Sequence, residues 1–382
     1  MAGSQEALRH ELEAEGLHVF SVTRAGSAMG IPFLRRREKM PSVDFLLFNT
    51  QLRTLLHAGL PLAQSLELLK AQQTAPHFRA LLDKVHQQVT TGIALSDAFA
   101  SLGDVFPRLY SNTLRAGEQS GELESVLQRF VEYQRIVEEM RKKIIAALTY
   151  PAVLVLLSVC LIILLVAYVI PSFAGFYVSF DSELPLVTRS VMGLSDFVQG
   201  NFLLLIFGGF AAVFGFKAWV RMPSGRLTTD RWRLKIPLVG RLAHLFSLSQ
   251  FSRSLSVLLS GGTPMVPALE TAASSINNTW ISKVLSSCVQ EVREGRSLSD
   301  SVEDTGITPV MALAMMRVGE ATGALPEMLV HTSEFFDEEI EFALGRLVSL
   351  FEPLILVVMG VIVAGLLLAV YYPLLTLVTK IG

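Results

Sequence analysis

The chain has 382 residues, 51% hydrophobic and 17% charged, with 32 basic and 34 acidic residues and a formal net charge of -2. A soluble domain usually carries about 25% charged residues, and the mean hydropathy of +0.48 points to a membrane protein. The near-even charge balance gives no electrostatic reason for nucleic acid as a partner, and two cysteines, Cys160 and Cys288, exclude a disulfide framework.

Residues 1–41 form an N-terminal segment and basic linker. The first twenty residues are polar and helical in pattern, with no cleavable signal peptide. Residues 5–23 read as a small piece that ends in the strand-like Val19-Phe20-Ser21-Val22. Residues 24–41, with Pro32, Arg35-Arg36-Arg37 and Pro41, read as a solvated tether. A first cytoplasmic helical domain spans 42–148. Its last part, from Glu122 to Lys143, is charged and helix-periodic and leads into an apolar run.

No charged residue occurs between Lys143 and Asp181, between Asp196 and Lys217, or between Glu352 and Lys380. A bilayer core needs about 20 apolar helical residues. The spans are therefore placed at 149–171, 197–217 and 351–374, with a short loop on the far side at 172–196, a second cytoplasmic helical domain at 218–350 and a far-side tail at 375–382. Arg141, Lys142 and Lys143 precede the first span. Lys217, Arg221, Arg226, Arg231, Arg233, Lys235 and Arg241 follow the second, with Asp230 the one acid among them. Basic residues near span ends mark the cytoplasmic side, so the N-terminus is cytoplasmic and the C-terminus lies across the membrane. The fold class expected is an all-α integral membrane protein with three transmembrane helices and two repeated cytoplasmic helical-bundle domains.

The repeat is visible as punctuation. Leu55-Leu56-His57-Ala58-Gly59-Leu60-Pro61 matches Leu258-Leu259-Ser260-Gly261-Gly262-Thr263-Pro264. At the same spacing, Gly92-Ile93-Ala94-Leu95-Ser96-Asp97 matches Gly295-Arg296-Ser297-Leu298-Ser299-Asp300. After a one-residue slip, Gly117-Glu118-Gln119-Ser120-Gly121 matches Gly319-Glu320-Ala321-Thr322-Gly323, and Pro151 matches Pro353. Gly59 and Gly262 suit left-handed helix ends. Pro61 and Pro264 suit first turns, and Thr263, Ser96 and Ser299 suit N-caps, with Asp97 and Asp300 near the positive helix end. Ser120 and Thr322 can cap the long helix that follows, with Pro326 in its first turn. Pro151 and Pro353 are read as opening apolar spans, each helix before them continuous with a membrane helix or docked to it.

No chemistry-bearing motif emerges. There is no phosphate-binding loop, no His-Glu-x-x-His and no close cysteine pair for zinc. His77 and His86, nine apart, do not share a helix face as metal ligands would. Asp337-Glu338-Glu339-Glu341 reads as a solvated helix face rather than a cation site. Glu118 and Glu320 read as loop carboxylates that tie down neighbouring amides or pair with Arg115 or Arg317. The span cores lack the ionisable groups a proton-driven pump or intramembrane protease needs. No catalytic, cofactor or metal residue is assigned. Gly360 with Ala364 fits close helix packing.

The duplicated Leu-Leu-x-x-Gly-x-Pro, Gly-x-x-Leu-Ser-Asp and Gly-Glu-x-Ser/Thr-Gly motifs, and Glu352-Pro353 opening a span that ends in Tyr372-Pro373, resemble the type II secretion F family. That family includes PilC-type platform proteins of type IV pili. The resemblance runs from about residue 44 to the end. The stretch 5–23 is also similar to the tail of the family's N-terminal segment, whose usual beginning is not seen ahead of it. The resemblance implies a non-enzymatic, homo-oligomeric platform in the bacterial inner membrane. Its implied partners are a cytoplasmic assembly ATPase, pilins or pseudopilins, and other inner-membrane machine components. The stretches 318–323 and 334–340 resemble the pilus branch more. The alternative reading is a small oligomeric transporter or channel subunit; a prepilin-peptidase-like membrane enzyme is a third.

Overall fold

The computed structural model describes residues 42–164, 200–237 and 239–381. The N-terminal piece, the basic linker, the whole of the 172–196 loop and the outer end of the first expected span lie outside the described residues. Every regular element among those described is helical, with no strand. The first series comprises α1 (Ser42–His57), α2 (Leu62–Gln72), α3 (Pro76–Thr90), α4 (Leu95–Ser101), α5 (Arg108–Ser120) and α6 (Leu123–Leu164). Then come α7 (Phe202–Arg221) and α8 (Pro223–Lys235). The second series comprises α9 (Val239–Ser260), α10 (Met265–Ser275), α11 (Thr279–Arg293), α12 (Leu298–Asp304), α13 (Val310–Thr322) and α14 (Leu325–Ile381).

The helices stop where glycine lets the chain turn left-handed. Gly59 (φ 82°) and Gly262 (φ 88°) end α1 and α9. In each case the glycine N–H donates three residues back, to Leu56 O or Leu259 O. The next N–H donates five back, to Leu55 O or Leu258 O. These paired bonds satisfy carbonyls that a helix end leaves open. The same pair of bonds closes α3 at Gly92 and α11 at Gly295.

Core formation follows from the apolar faces of these short helices. Phe48, Leu52, Leu66, Leu82, Phe99 and Tyr110 are buried in the first series, and Leu255, Leu269, Leu285, Leu329 and Phe336 in the second, within one continuous cluster. The helix α9 sits deepest: it packs on α5, α6, α8, α10 and α14. Its crowded position explains its serines. Ser247, Ser249, Ser252, Ser254 and Ser256 are all buried there, and short side chains let neighbouring helices approach from several sides.

Helices α6 and α14 have 42 and 57 residues, about 63 and 86 Å at 1.5 Å per residue. Their first halves belong to the packed region and their later parts do not. Within them, Leu123–Leu161 and Leu325–Gly365 are the two described helical stretches long and apolar enough to cross a membrane. Leu156, Leu157, Leu356 and Val361 are exposed, a surface that water does not tolerate and lipid tails match. Pro151 and Pro353 were expected to open apolar spans, with the helix before each continuous with the membrane helix or docked to it; both lie inside helices that run on unbroken. A proline interior to a helix forfeits one backbone bond, a loss that membrane helices accommodate through neighbouring helices and local adjustment. The expected edges at 148/149 and 350/351 therefore fall mid-helix. The middle span was expected at 197–217; α7 covers 202–221 and exposes Leu204, Phe207, Phe210 and Phe214.

Candidate functional site

The duplicated motifs meet in space as a carboxylate clamp, built twice. Glu118 on α5 reaches the N-terminus of α4. Its Oε1 accepts from the Leu95 N–H at 2.5 Å, and its Oε2 accepts from the Ser96 N–H at 3.3 Å and from the Ser96 hydroxyl at 2.5 Å. Glu320 on α13 does the same for α12, accepting from Leu298 N–H at 2.5 Å, Ser299 N–H at 3.0 Å and the Ser299 hydroxyl. The first N–H groups of a helix lack partners within it, and a negative charge there is favoured by the helix dipole. Each glutamate thus caps, across some 22 residues, a helix too short to hold itself.

This geometry corrects several expectations. Ser96 and Ser299 are not N-caps: Ala94 and Ser297 occupy those positions, and the two serines are the second residues of their helices and donate to the glutamates. Ser297 itself caps α12, its Oγ accepting from the Asp300 N–H at 3.1 Å. Glu118 and Glu320 are helical rather than in loops, and they pair with neither Arg115 nor Arg317. Those arginines reach the acids of the short helices instead, Arg115 to Asp97 at 2.7 Å, and Arg317 to Asp300 at 3.5 Å and to Glu303. The Ser297 hydroxyl first, and then Arg317, hold the Asp300 carboxyl below the usual carboxylate range. Pro61 and Pro264 stand one residue before α2 and α10, as their N-caps. Thr263 caps nothing; its buried hydroxyl has no protein partner. Ser120 and Thr322 accept at 3.4 Å from the N–H two residues on, just ahead of the long helices.

The flanking glycines have separate reasons. Gly121 and Gly323 are left-handed, at φ 72° and 73°, where α5 and α13 end. Gly117 and Gly319 are ordinary helical residues pressed against the start of the next long helix. A Cβ on Gly117 would lie 3.1 Å from Leu123 Cα and Val126 Cβ, and one on Gly319 would lie 2.8 Å from Leu325 Cα and 2.9 Å from Met328 Cβ. The Gly-Glu pair therefore joins three helices: glycine admits the long helix and glutamate pins the short one.

Other functional contacts were not legible from motifs. The first series docks on the second through Asn112 Nδ2 to Thr271 Oγ1 at 2.7 Å, Ser254 Oγ to Tyr133 Oη at 3.2 Å, Arg129 to the Ser260 carbonyl, and Lys143 to Glu341 at 2.5 Å. Within the second series Asp337 accepts from Arg253 at 2.5 Å and from Ser249 at 2.7 Å. Burial pushes the Asp337 carboxyl up, and Arg253 and Ser249 pull against that. The acidic stretch around Asp337 is thus only in part a solvated face. Asp337 turns inward, Glu339 pairs with Arg241 at 2.8 Å and Glu341 with Lys143. Among the described residues no group of three or more acids, histidines or cysteines is placed to hold a metal. Arg253 between two serines in the middle of α9 was the one available signal for the buried pair. The docking contacts had none, because they join residues more than 100 positions apart.

Taken together, the long helices with exposed apolar stretches and the clamped short helices packed at their roots are those of a helical membrane protein with a packed base. The model of the type II secretion system protein F family matches residues 48–171 and again 251–373. The chain belongs to that family. It is 33% identical over 376 residues to the type IV pilus assembly protein PilC of Pseudomonas aeruginosa, covering 98% of this chain and 100% of that one. It is 35% identical over 342 residues to the type II secretion system protein F of the same organism, covering 89% and 84%. It is 33% identical over 368 residues to the PilC of Thermus thermophilus, covering 95% and 90%.

Proposed function

We propose that this chain is a non-enzymatic, oligomeric platform in the bacterial inner membrane. It couples a cytoplasmic assembly ATPase to the insertion of pilin or pseudopilin subunits into a type IV pilus or type II secretion fibre. On this reading it has three spans, with the N-terminus cytoplasmic and the C-terminus periplasmic. Its packed base is one helical domain present twice, at 42–148 and 218–350. Support for the duplication comes from the double match of the family model and from the paired clamps at Glu118 and Glu320.

The observation that carries the coupling role is the continuity of α6 and α14. Each is rooted in the packed region and runs without a break into its apolar stretch. A push or rotation of the base is therefore transmitted along a stiff rod. The clamps stiffen the root: they fix α4 and α12 to α5 and α13, and Gly117 and Gly319 seat those helices on the rods. Relatives named for either machine match at similar identity, so the branch is left to experiment.

The test is affinity purification of the tagged full-length protein from native membranes under mild detergent and crosslinking, with mass spectrometry of what is recovered. Recovery of a hexameric ATPase with pilins or pseudopilins supports the role, and the kind of pilin decides the branch. Recovery of the chain alone, with solute flux in proteoliposomes, would replace this reading by a transporter or channel subunit.

A further inference from the structure

The two series share an order of helices but not their surroundings, and the difference exposes a face. In the first series α5 packs on α9 and α10 of the second. Its outward residues are covered there: Asn112 bonds Thr271, and Ala116 lies 3.7 Å from where a Gly261 Cβ would stand. In the second series the matching helix, α13, has its main packing on α12 and α14. By the register that aligns Gly117 with Gly319, Leu109, Asn112 and Ala116 correspond to Met311, Ala314 and Val318. Leu109 is 1% and Ala116 9% exposed, whereas Met311 is 56% and Val318 52% exposed. With Val310 at 83%, these residues form an apolar stripe, since 310, 314 and 318 fall four apart on one helix face.

The receiving surface is left open at the other end of the molecule. Thr271 and Gly261, which receive α5, are buried. By the register that aligns Gly59 with Gly262, they correspond to Leu68 and Ala58 on the α1–α2 corner. Both are exposed, Leu68 by 41%. Besides the packing of α6 on α9 and α14, the series meet through a one-sided contact: α5 docks on α9–α10, and no comparable packing joins α13 to α1–α2. It is a head-to-tail contact with both of its outer halves unused.

We propose that α13 of one chain docks on the α1–α2 corner of a second copy, repeating between molecules the junction that α5 makes with α9–α10 inside each. The occupant follows from the chain itself, because each free face matches in position one that the protein already covers with its own helices. A contact between two different faces propagates and closes into a ring or extends as a filament, depending on the rotation between neighbours. The proposal rests on the oligomeric reading above and adds the faces and the polarity to it.

Cysteine pairs in the full-length protein, oxidised in native membranes, test this. Cys160→Ser supplies the background; the buried Cys288 thiol, pushed up to about 11 by burial, stays unreactive at neutral pH. Asn112→Cys with Thr271→Cys calibrates the internal junction and is expected to close within one chain. Leu68→Cys with Ala314→Cys, the matching pair, is expected to give a ladder of crosslinked oligomers. Each single variant stays monomeric, and a co-expressed mixture of the two singles gives dimers that stop there. The proposal is overturned if the calibrating pair closes and the matching pair stays monomeric. It also fails if Ala314→Cys alone dimerises, which marks a two-fold contact, if position 314 captures a different protein, or if the calibrating pair itself does not form. Failure here with the ATPase and pilins still co-purifying would remove the docking faces and leave the platform reading standing. A ladder without those partners would do the reverse.

Discussion

The two helical series solve the same packing problem with different chemistry. The first fills its centre with rings: Phe45, Phe48, Phe78, Phe99, Phe106, Tyr110 and Phe130 touch in a chain of tilted and edge-on pairs, such as Phe99 with Tyr110 at 4.9 Å. The second builds its centre from leucine, alanine and serine around α9 and sets one ion pair, Arg253 with Asp337, into it. The positions of that pair are Thr50 and Arg135 in the first series. The contrast teaches that what the series share is the punctuation and the clamp, while the filling answers to the neighbours. α1 leaves Val43 and Leu47 exposed and can carry large rings on its other face. α9 is covered on most sides and has room for little.

The largest effect that would break the comparison is expected from Phe99→Ala, which opens a cavity in the ring cluster and should cost about 3–5 kcal/mol. Thermal unfolding in detergent, with proteolysis mapping which series opens first, checks this; the first series should open while α9 and α14 stay protected. Asp337→Asn comes next. Arg253 is only 9% exposed at its side chain and would lose its countercharge, at a cost of about 3 kcal/mol. Arg253→Met combined with Asp337→Leu should recover most of that stability, because an apolar pair avoids the desolvation of both charges. If the double variant is no better than the single, the pair is not the second series' substitute for rings.

Smaller changes sharpen what is common. Gly319→Ala is expected to cost about 1–3 kcal/mol, because its Cβ would meet backbone below 3.0 Å and a rod helix must shift. Gly117→Ala, with its nearest atoms at 3.1 Å, should cost less. Equal losses, by denaturant midpoint, would mean that the two seats are alike after all. Glu118→Gln and Glu320→Gln keep size and remove the charge that caps α4 and α12. Each should cost about 1 kcal/mol, raising hydrogen exchange at Leu95–Ser96 or Leu298–Ser299 with little change elsewhere. A loss at one position alone would show that only one clamp carries its helix.

Much of the architecture was legible before any coordinates, for reasons that are local. Gly59 and Gly262 mark helix ends because glycine enters the left-handed region without strain. The apolar runs are conspicuous because a bilayer demands length and lack of charge together. Other expectations failed where a local rule met a non-local partner. Ser96 and Ser299 looked like caps because serine before an acid usually is one, yet a glutamate some 22 residues away takes the amides and the serines donate to it.

By itself, then, the sequence determined the helical class, the glycine-marked helix ends and the apolar stretches, which depend on residues within a turn or two of one another, and it carries the duplication of motifs openly. Tertiary structure alone decided that Glu118 and Glu320 reach across to the short helices, that Asp337 turns inward to Arg253, and that α5 is covered where α13 is bare. These outcomes depend on which surfaces meet after the chain has folded back over more than 100 residues. No periodicity or spacing along the chain encodes that meeting.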